Sequence, residues 1–129
     1  MSVTAAPLQI ADLSTANQWI VFDIDSDLEV RYRGVTGWDG DYSAAGMSIV
    51  AARRAFTRGR RLPPGGVLLG IELDSLDTLP ADGHCEFRVE TDVTQHRSGF
   101  LFVQIVTTLR VPNGKEFAEV VYLIRWPRD

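Results

Sequence analysis

Asp39, Gly40, Asp41, Tyr42 and Ser43 stand directly before a run of small and apolar residues, 44–58, that reads as a helix. The first turn of a helix carries amide N–H groups with no intrahelical partner, and such amides attract an anion or a polarised carbonyl oxygen. Gly40 has no side chain to hold a ligand away from them. Asp39 and Asp41 are the nearby carboxylates that could activate water, and Tyr42 could donate a hydrogen bond to a bound molecule. Asp41 and Ser43 are also the residue types that cap helices, and a tyrosine in this place can simply pack its ring. Capping and packing therefore stand beside chemistry as readings of the segment.

Other reactive side chains carry less. His84 and His96 could act as bases near neutral pH, but each reads as an exposed strand-end or turn residue, and neither adjoins a serine or cysteine in a nucleophile motif. Cys85 falls on the apolar side of an alternating segment, where a buried, unreactive thiol is expected. Arg53, Arg54, Arg58, Arg60 and Arg61, with Arg97, could pair with phosphate groups or an acidic partner. The same arginines equally suit the negative end of the helix dipole. Asp23, Asp25 and Asp27 have the spacing of a calcium loop without its glycine and terminal glutamate, so they read as a solvated strand face. With one cysteine and two histidines no zinc spacing can be assembled, and neither metal nor cofactor is expected.

These residues must be positioned by a small set of elements. Alternation over residues 19–33 predicts a half-buried first strand, bent near Ser26. The helix follows, and Pro63-Pro64-Gly65-Gly66 ends any continuation of it. A second strand begins at Val67. The sharpest alternation in the chain, Cys85, Phe87, Val89, Thr91 and Val93 against His84, Glu86, Arg88, Glu90 and Asp92, predicts a third strand with one wet face. Residues 100–111 form a fourth, apolar on both faces like a central or interface strand. Asn113-Gly114 signals a hairpin into a last strand over residues 117–126.

The chain has 129 residues, 45% of them hydrophobic and 23% charged, which fits one globular domain and neither a disordered chain nor a membrane span. A short arm, residues 1–18, is expected to precede a single domain, residues 19–129. Thirteen Lys and Arg against seventeen Asp and Glu give a net charge of −4, which argues against nucleic-acid binding. Residues 1–7 lack a signal-peptide pattern, and no stretch is apolar for the ~20 residues a spanning helix needs. A cytoplasmic, reducing setting is the expectation.

One apolar helix inserted after the first strand of an antiparallel sheet is the element order of the hot-dog fold, in which a five-stranded sheet wraps a central helix. The alternative, the cone-shaped α+β fold of small cyclases, normally begins with helices. Leu28-Glu29-Val30-Arg31-Tyr32-Arg33 followed by Gly40-Asp41-Tyr42-Ser43-Ala44-Ala45 resembles the opening of 4-hydroxybenzoyl-CoA-type acyl thioesterases. Leu79-Pro80-Ala81-Asp82-Gly83 is similar to the family's apolar-Pro-Gly-Asp turn, and Arg97-Ser98 to its Arg-Ser pair. Gly40-Asp41 also resembles the Gly-Asp-x-Asn-Pro-x-His stretch of MaoC-like dehydratases, with Gly46 in place of the histidine. The thioesterase pattern's usual carboxylates, one before the helix and one within it, are absent from their positions here.

The resemblance implies an α+β hot-dog homodimer or dimer of dimers, with an acyl thioester of coenzyme A or acyl carrier protein bound in a tunnel at the subunit boundary. Hydrolysis would use the amides of Gly40 to Ser43 on the carbonyl and Asp39 or Asp41 on water. Met47, Val50 and Phe56 would line or support the acyl groove. Arg60, Arg61, His96, Arg97 and Ser98 would contact the rest of the substrate. A hydroxyacyl-thioester dehydratase would instead need an acid–base pair such as Asp41 with His84 or His96 from across a dimer. A catalytically silent subunit that binds a lipid or polyketide-like ligand, or partners an active paralogue, is the third implication.

Overall fold

The structure, a computed structural model, describes residues 7–24, 31, 46–75, 77, 80 and 83–127. A 3-10 turn, Ile10–Asp12, precedes strand β1, Ile20–Asp23. Helix α1 covers Gly46–Thr57, and four strands follow: β2, Val67–Ser75; β3, His84–Gln95; β4, Leu101–Arg110; β5, Glu116–Trp126. All pairings are antiparallel, and the five strands stand in the order β1-β3-β4-β5-β2. This is the expected arrangement of one helix against an antiparallel sheet.

Alternation sets which face each strand gives to the helix. On β4, Val103, Ile105, Thr107 and Leu109 are buried while Gln104 is exposed. On β5, Phe117, Val120, Tyr122, Ile124 and Trp126 are buried. Ala51, Ala52 and Ala55 of α1 are fully buried, and their small side chains let the helix axis approach the sheet. The Val111–Lys115 hairpin closes as its Asn-Gly pair suggested: the Val111 amide donates to the Lys115 carbonyl at 3.0 Å, and Asn113 takes a positive φ of 52°.

Strand β1 differs from expectation. It is four residues long, Ile24 lies outside it, and Arg31 has helical backbone, so the alternation over 19–33 does not form one continuous strand. The strand ends at Asp23, a residue type of low strand propensity, and, paired among the described residues with β3 alone, it has little to hold it beyond its apolar positions. What anchors β1 is aromatic. Phe22 meets Phe87 of β3 edge-on at 5.7 Å, and the guanidinium groups of Arg110 and Arg88 lie over the Trp19 ring at 4.0 Å and 4.8 Å. Gly83 lets the chain enter β3 close to β1: its φ is +74°, and a Cβ there would come within 2.5 Å of the Ile24 carbonyl oxygen.

Residues 7–18, expected as an arm, are packed onto the core through Leu8 and Leu13, both almost wholly buried. The Leu8 amide donates to Arg61, and the Thr15 amide to Val89. Arg60 donates to the Asp12 carboxylate at 2.6 Å. That hydrogen bond holds the Asp12 carboxyl below the usual 3.8. The pair therefore favours the folded chain above that value, and its contribution is lost as pH falls through the depressed one.

Candidate functional site

The described part of α1 begins at Gly46, so Asp39, Gly40, Asp41, Tyr42 and Ser43 lie outside the described residues. The described residues form the seat of the helix that follows that segment in the sequence. Met47 and Ser48 are buried in its first turn, and Val50 is half-buried. The Tyr122 hydroxyl of β5 donates to the Ile49 carbonyl at 2.9 Å. About two turns further on, the Phe56 ring packs edge-on against Tyr122 with centroids 5.1 Å apart. Tyr122 thus grips α1 at both ends of a buried stretch, and burial pushes its phenol pKa up, opposed in part by the Arg53 charge. A protonated hydroxyl is what the contact with a carbonyl oxygen requires.

Beneath the helix, the Thr107 hydroxyl is fully buried and has no hydrogen-bond partner among the described residues. It interrupts an apolar row on β4, between Ile105 and Leu109. An orphaned buried hydroxyl costs about 1–3 kcal/mol. Thr107→Val should therefore raise stability by about 1 kcal/mol, near 4 °C in melting temperature for a domain of this size. A melting temperature that falls on this substitution would mean that the hydroxyl has a partner in solution.

The arginines divide between several places. Arg58 donates to the carbonyls of Asp12 at 3.2 Å and Leu13 at 3.5 Å, while Arg60 holds the Asp12 carboxylate and the Pro7 carbonyl. Arg61 is exposed, with its own carbonyl accepting from Leu8. Arg54, Arg58 and Arg60 border a cavity of about 540 Å³ between the end of α1 and β1. Arg53 borders another of about 300 Å³ with Leu62, Pro63, Leu68, Tyr122 and Ile124. Arg97 is in the exposed turn from β3 to β4.

His96 and Ser98 share that turn. The Ser98 amide donates to His96 Nδ1 at 3.2 Å, the Ser98 hydroxyl lies 3.0 Å from the same nitrogen, and the His96 ring meets Phe102 edge-on at 5.4 Å. His84 Nδ1 lies 2.7 Å from Asp23 Oδ1 across the β1–β3 ladder, both exposed. Cys85 is buried, its thiol donating to the Phe22 carbonyl at 3.2 Å. Among the described residues no group of three His, Cys, Asp or Glu side chains could hold a metal ion, and no helix is long and apolar enough to cross a membrane.

Sequence reasoning did not single out Tyr122, which seats α1, or the buried hydroxyl of Thr107. A threonine in an otherwise apolar alternating row was the available signal for Thr107. Tyr122 alternates like any core aromatic, and nothing local indicates that its hydroxyl reaches Ile49, 73 residues away.

No family model and no curated protein matches the chain. Solved structures do. R-hydratase PhaJ1 from Pseudomonas aeruginosa is 15% identical at a TM-score of 0.63, over 92% of this chain and 88% of that one. HtdX of Mycobacterium tuberculosis is 18% identical at a TM-score of 0.62, over 84% of this chain but 50% of its own, so the chain spans about half the length of HtdX. The HadBC (3R-hydroxyacyl-ACP dehydratase) complex of the same organism is 14% identical at a TM-score of 0.61, over 82% of this chain and 90% of that one.

Proposed function

The chain has the hot-dog fold, and from that premise we propose that it binds an acyl thioester of coenzyme A or acyl carrier protein at the leading end of α1 and hydrolyses it. The observation that carries this reading is the fixed seat of α1, with Tyr122 holding the Ile49 carbonyl and Phe56 buried against the same ring. A helix so held keeps its leading amides aimed at one place, as a developing oxyanion requires. Gly40 to Ser43 supply those amides, and Asp39 or Asp41 orients the attacking water. Met47, Val50 and Phe56 back the acyl groove, and Arg61, Arg97 and the His96–Ser98 turn are reserved for the distal part of the substrate. Arg60 serves there only if it exchanges Asp12 for a phosphate.

The working unit is a homodimer, or a dimer of two such dimers. Strand β2 is an edge of the sheet, paired only with β5, and it exposes Val67, Leu68, Leu69 and Ile71. A long apolar edge without cover invites pairing with another chain. Two β2 strands meeting antiparallel would continue the sheet across the dimer and close the site from the side.

The named activities of PhaJ1 and HadBC suggest the second reading, hydration or dehydration of a hydroxyacyl thioester. Against it, Gly46 occupies the helix position where the MaoC-like pattern has its histidine, and it offers no base. His84 or His96 of another chain would have to serve. Measuring thiol release from acyl-CoA substrates beside hydration of crotonyl-CoA separates the two reactions. Under the first reading Asp39→Asn or Asp41→Asn lowers thiol release by about a hundredfold or more. If neither thiol release nor hydration is detected while acyl-CoA still binds, the subunit is catalytically silent.

A further inference from the structure

We propose that the groove between β1 and the C-terminal end of α1 binds a fatty-acid-like carboxylate, its head on Arg54 and its tail along Phe22 and Phe87. The cavity measures about 540 Å³, inside the roughly 300–1,000 Å³ of small-molecule clefts. Its floor is apolar: Ile20, Phe22, Ala55 and Phe87, with Val21 beside them 75% exposed on the edge of the sheet. Its rim is cationic. Arg58 lies over the Phe87 ring at 5.7 Å and is held in place by the Asp12 and Leu13 carbonyls, while Arg60 is fixed by Asp12 and Pro7. Arg60 is ion-paired with Asp12 and Arg58 is bonded to carbonyls, whereas Arg54 is exposed and forms no ion pair among the described residues, so Arg54 is the guanidinium left to take a carboxylate.

The lining selects the chemistry of the occupant. Thr57 is the one uncharged hydroxyl there, and it donates back to the Arg54 carbonyl at 3.4 Å, so nothing is arranged to recognise a sugar or a base. A single anionic head with an apolar tail fits a strip of hydrocarbon edged by arginine, because a planar guanidinium pairs with a carboxylate through two parallel hydrogen bonds. The backbone keeps the groove open. Arg58 and Gly59 both take positive φ, 50° and 78°, and turn the chain sharply away from the helix axis. The groove lies at the C-terminal end of α1, whose 12 described residues, Gly46–Thr57, span about 18 Å, so a ligand here is about that far from the Gly46 end.

The test is titration of the full-length, ¹⁵N-labelled chain with decanoate below its micellar concentration, read by amide shifts, with acetate and decyltrimethylammonium as controls. Saturable shifts at Val21, Gly59 and Phe87 with decanoate are expected, together with much weaker binding of both controls. Arg54→Glu should weaken decanoate at least tenfold, and Arg54→Lys by less. Val21→Glu, at an exposed position, should also weaken it and serves if Arg54→Glu does not fold. Absence of saturable shifts at these amides, undiminished binding by Arg54→Glu, or equal binding of decyltrimethylammonium overturns the proposal. The readout is binding alone, so its failure is distinct from failure of the acyl-thioester reading.

Discussion

Phe56→Ala is expected to cost about 3–5 kcal/mol of stability. The side chain is completely buried in α1, and its ring is the main partner of Tyr122 on the sheet. Truncation removes the transfer energy of a phenyl group and leaves a cavity between helix and sheet that alanines 51, 52 and 55 are too small to fill. Against a total of about 5–15 kcal/mol for a domain, that is a large part of the whole. Urea unfolding should show a lower midpoint with an unchanged slope. A loss under about 1.5 kcal/mol, the range of tolerated core swaps, would mean that α1 is not seated on Tyr122 as described.

Leu69→Lys with Ile71→Lys should have the second large effect, this time on assembly. Ile71 stands opposite Tyr122 in the ladder, so it points to the helix side of the sheet, yet it is 38% exposed; Leu69 lies at the β2 bulge and is 48% exposed. In a dimer joined through β2 both are covered in each chain, and covering the exposed part of each side chain contributes about 0.5–1.5 kcal/mol. Losing two and adding two positive charges facing their symmetry mates should weaken association more than about a hundredfold. Sedimentation should report twice the chain mass for the wild type and the single-chain mass for the variant. Thioester turnover should fall with it, because the proposed site is completed at the subunit boundary. A wild-type chain that sediments as a monomer, or a variant that remains dimeric, contradicts the β2 interface.

Much of this architecture is written locally. The alternation from His84 to Val93, the Asn113-Gly114 turn and the double proline after Leu62 each state an element without reference to the rest of the chain, and β2 to β5 begin and end within a residue or two of the expected places. Alternation alone overstates strand β1, which ends at Asp23, a residue type of low strand propensity. The contacts that seat the helix were illegible for another reason. Tyr122 with Ile49, Arg60 with Asp12 and Thr15 with Val89 join residues 48 to 74 positions apart, and no spacing rule encodes such pairs. The burial of Leu8 and Leu13 depends on such long-range contacts, which is why the sequence alone shows a short arm there. The candidate carboxylates, Asp39 and Asp41, are visible only as residue types before a helix.

The central claim is that the amides leading into α1 receive a thioester carbonyl. A crystal structure of the chain with a non-hydrolysable acyl-CoA analogue tests it most directly. The carbonyl oxygen is expected about 3 Å from amide nitrogens between Gly40 and Ser43, with the acyl chain running toward Met47. An acyl group bound elsewhere, or that position closed by the chain's own side chains, would contradict the account.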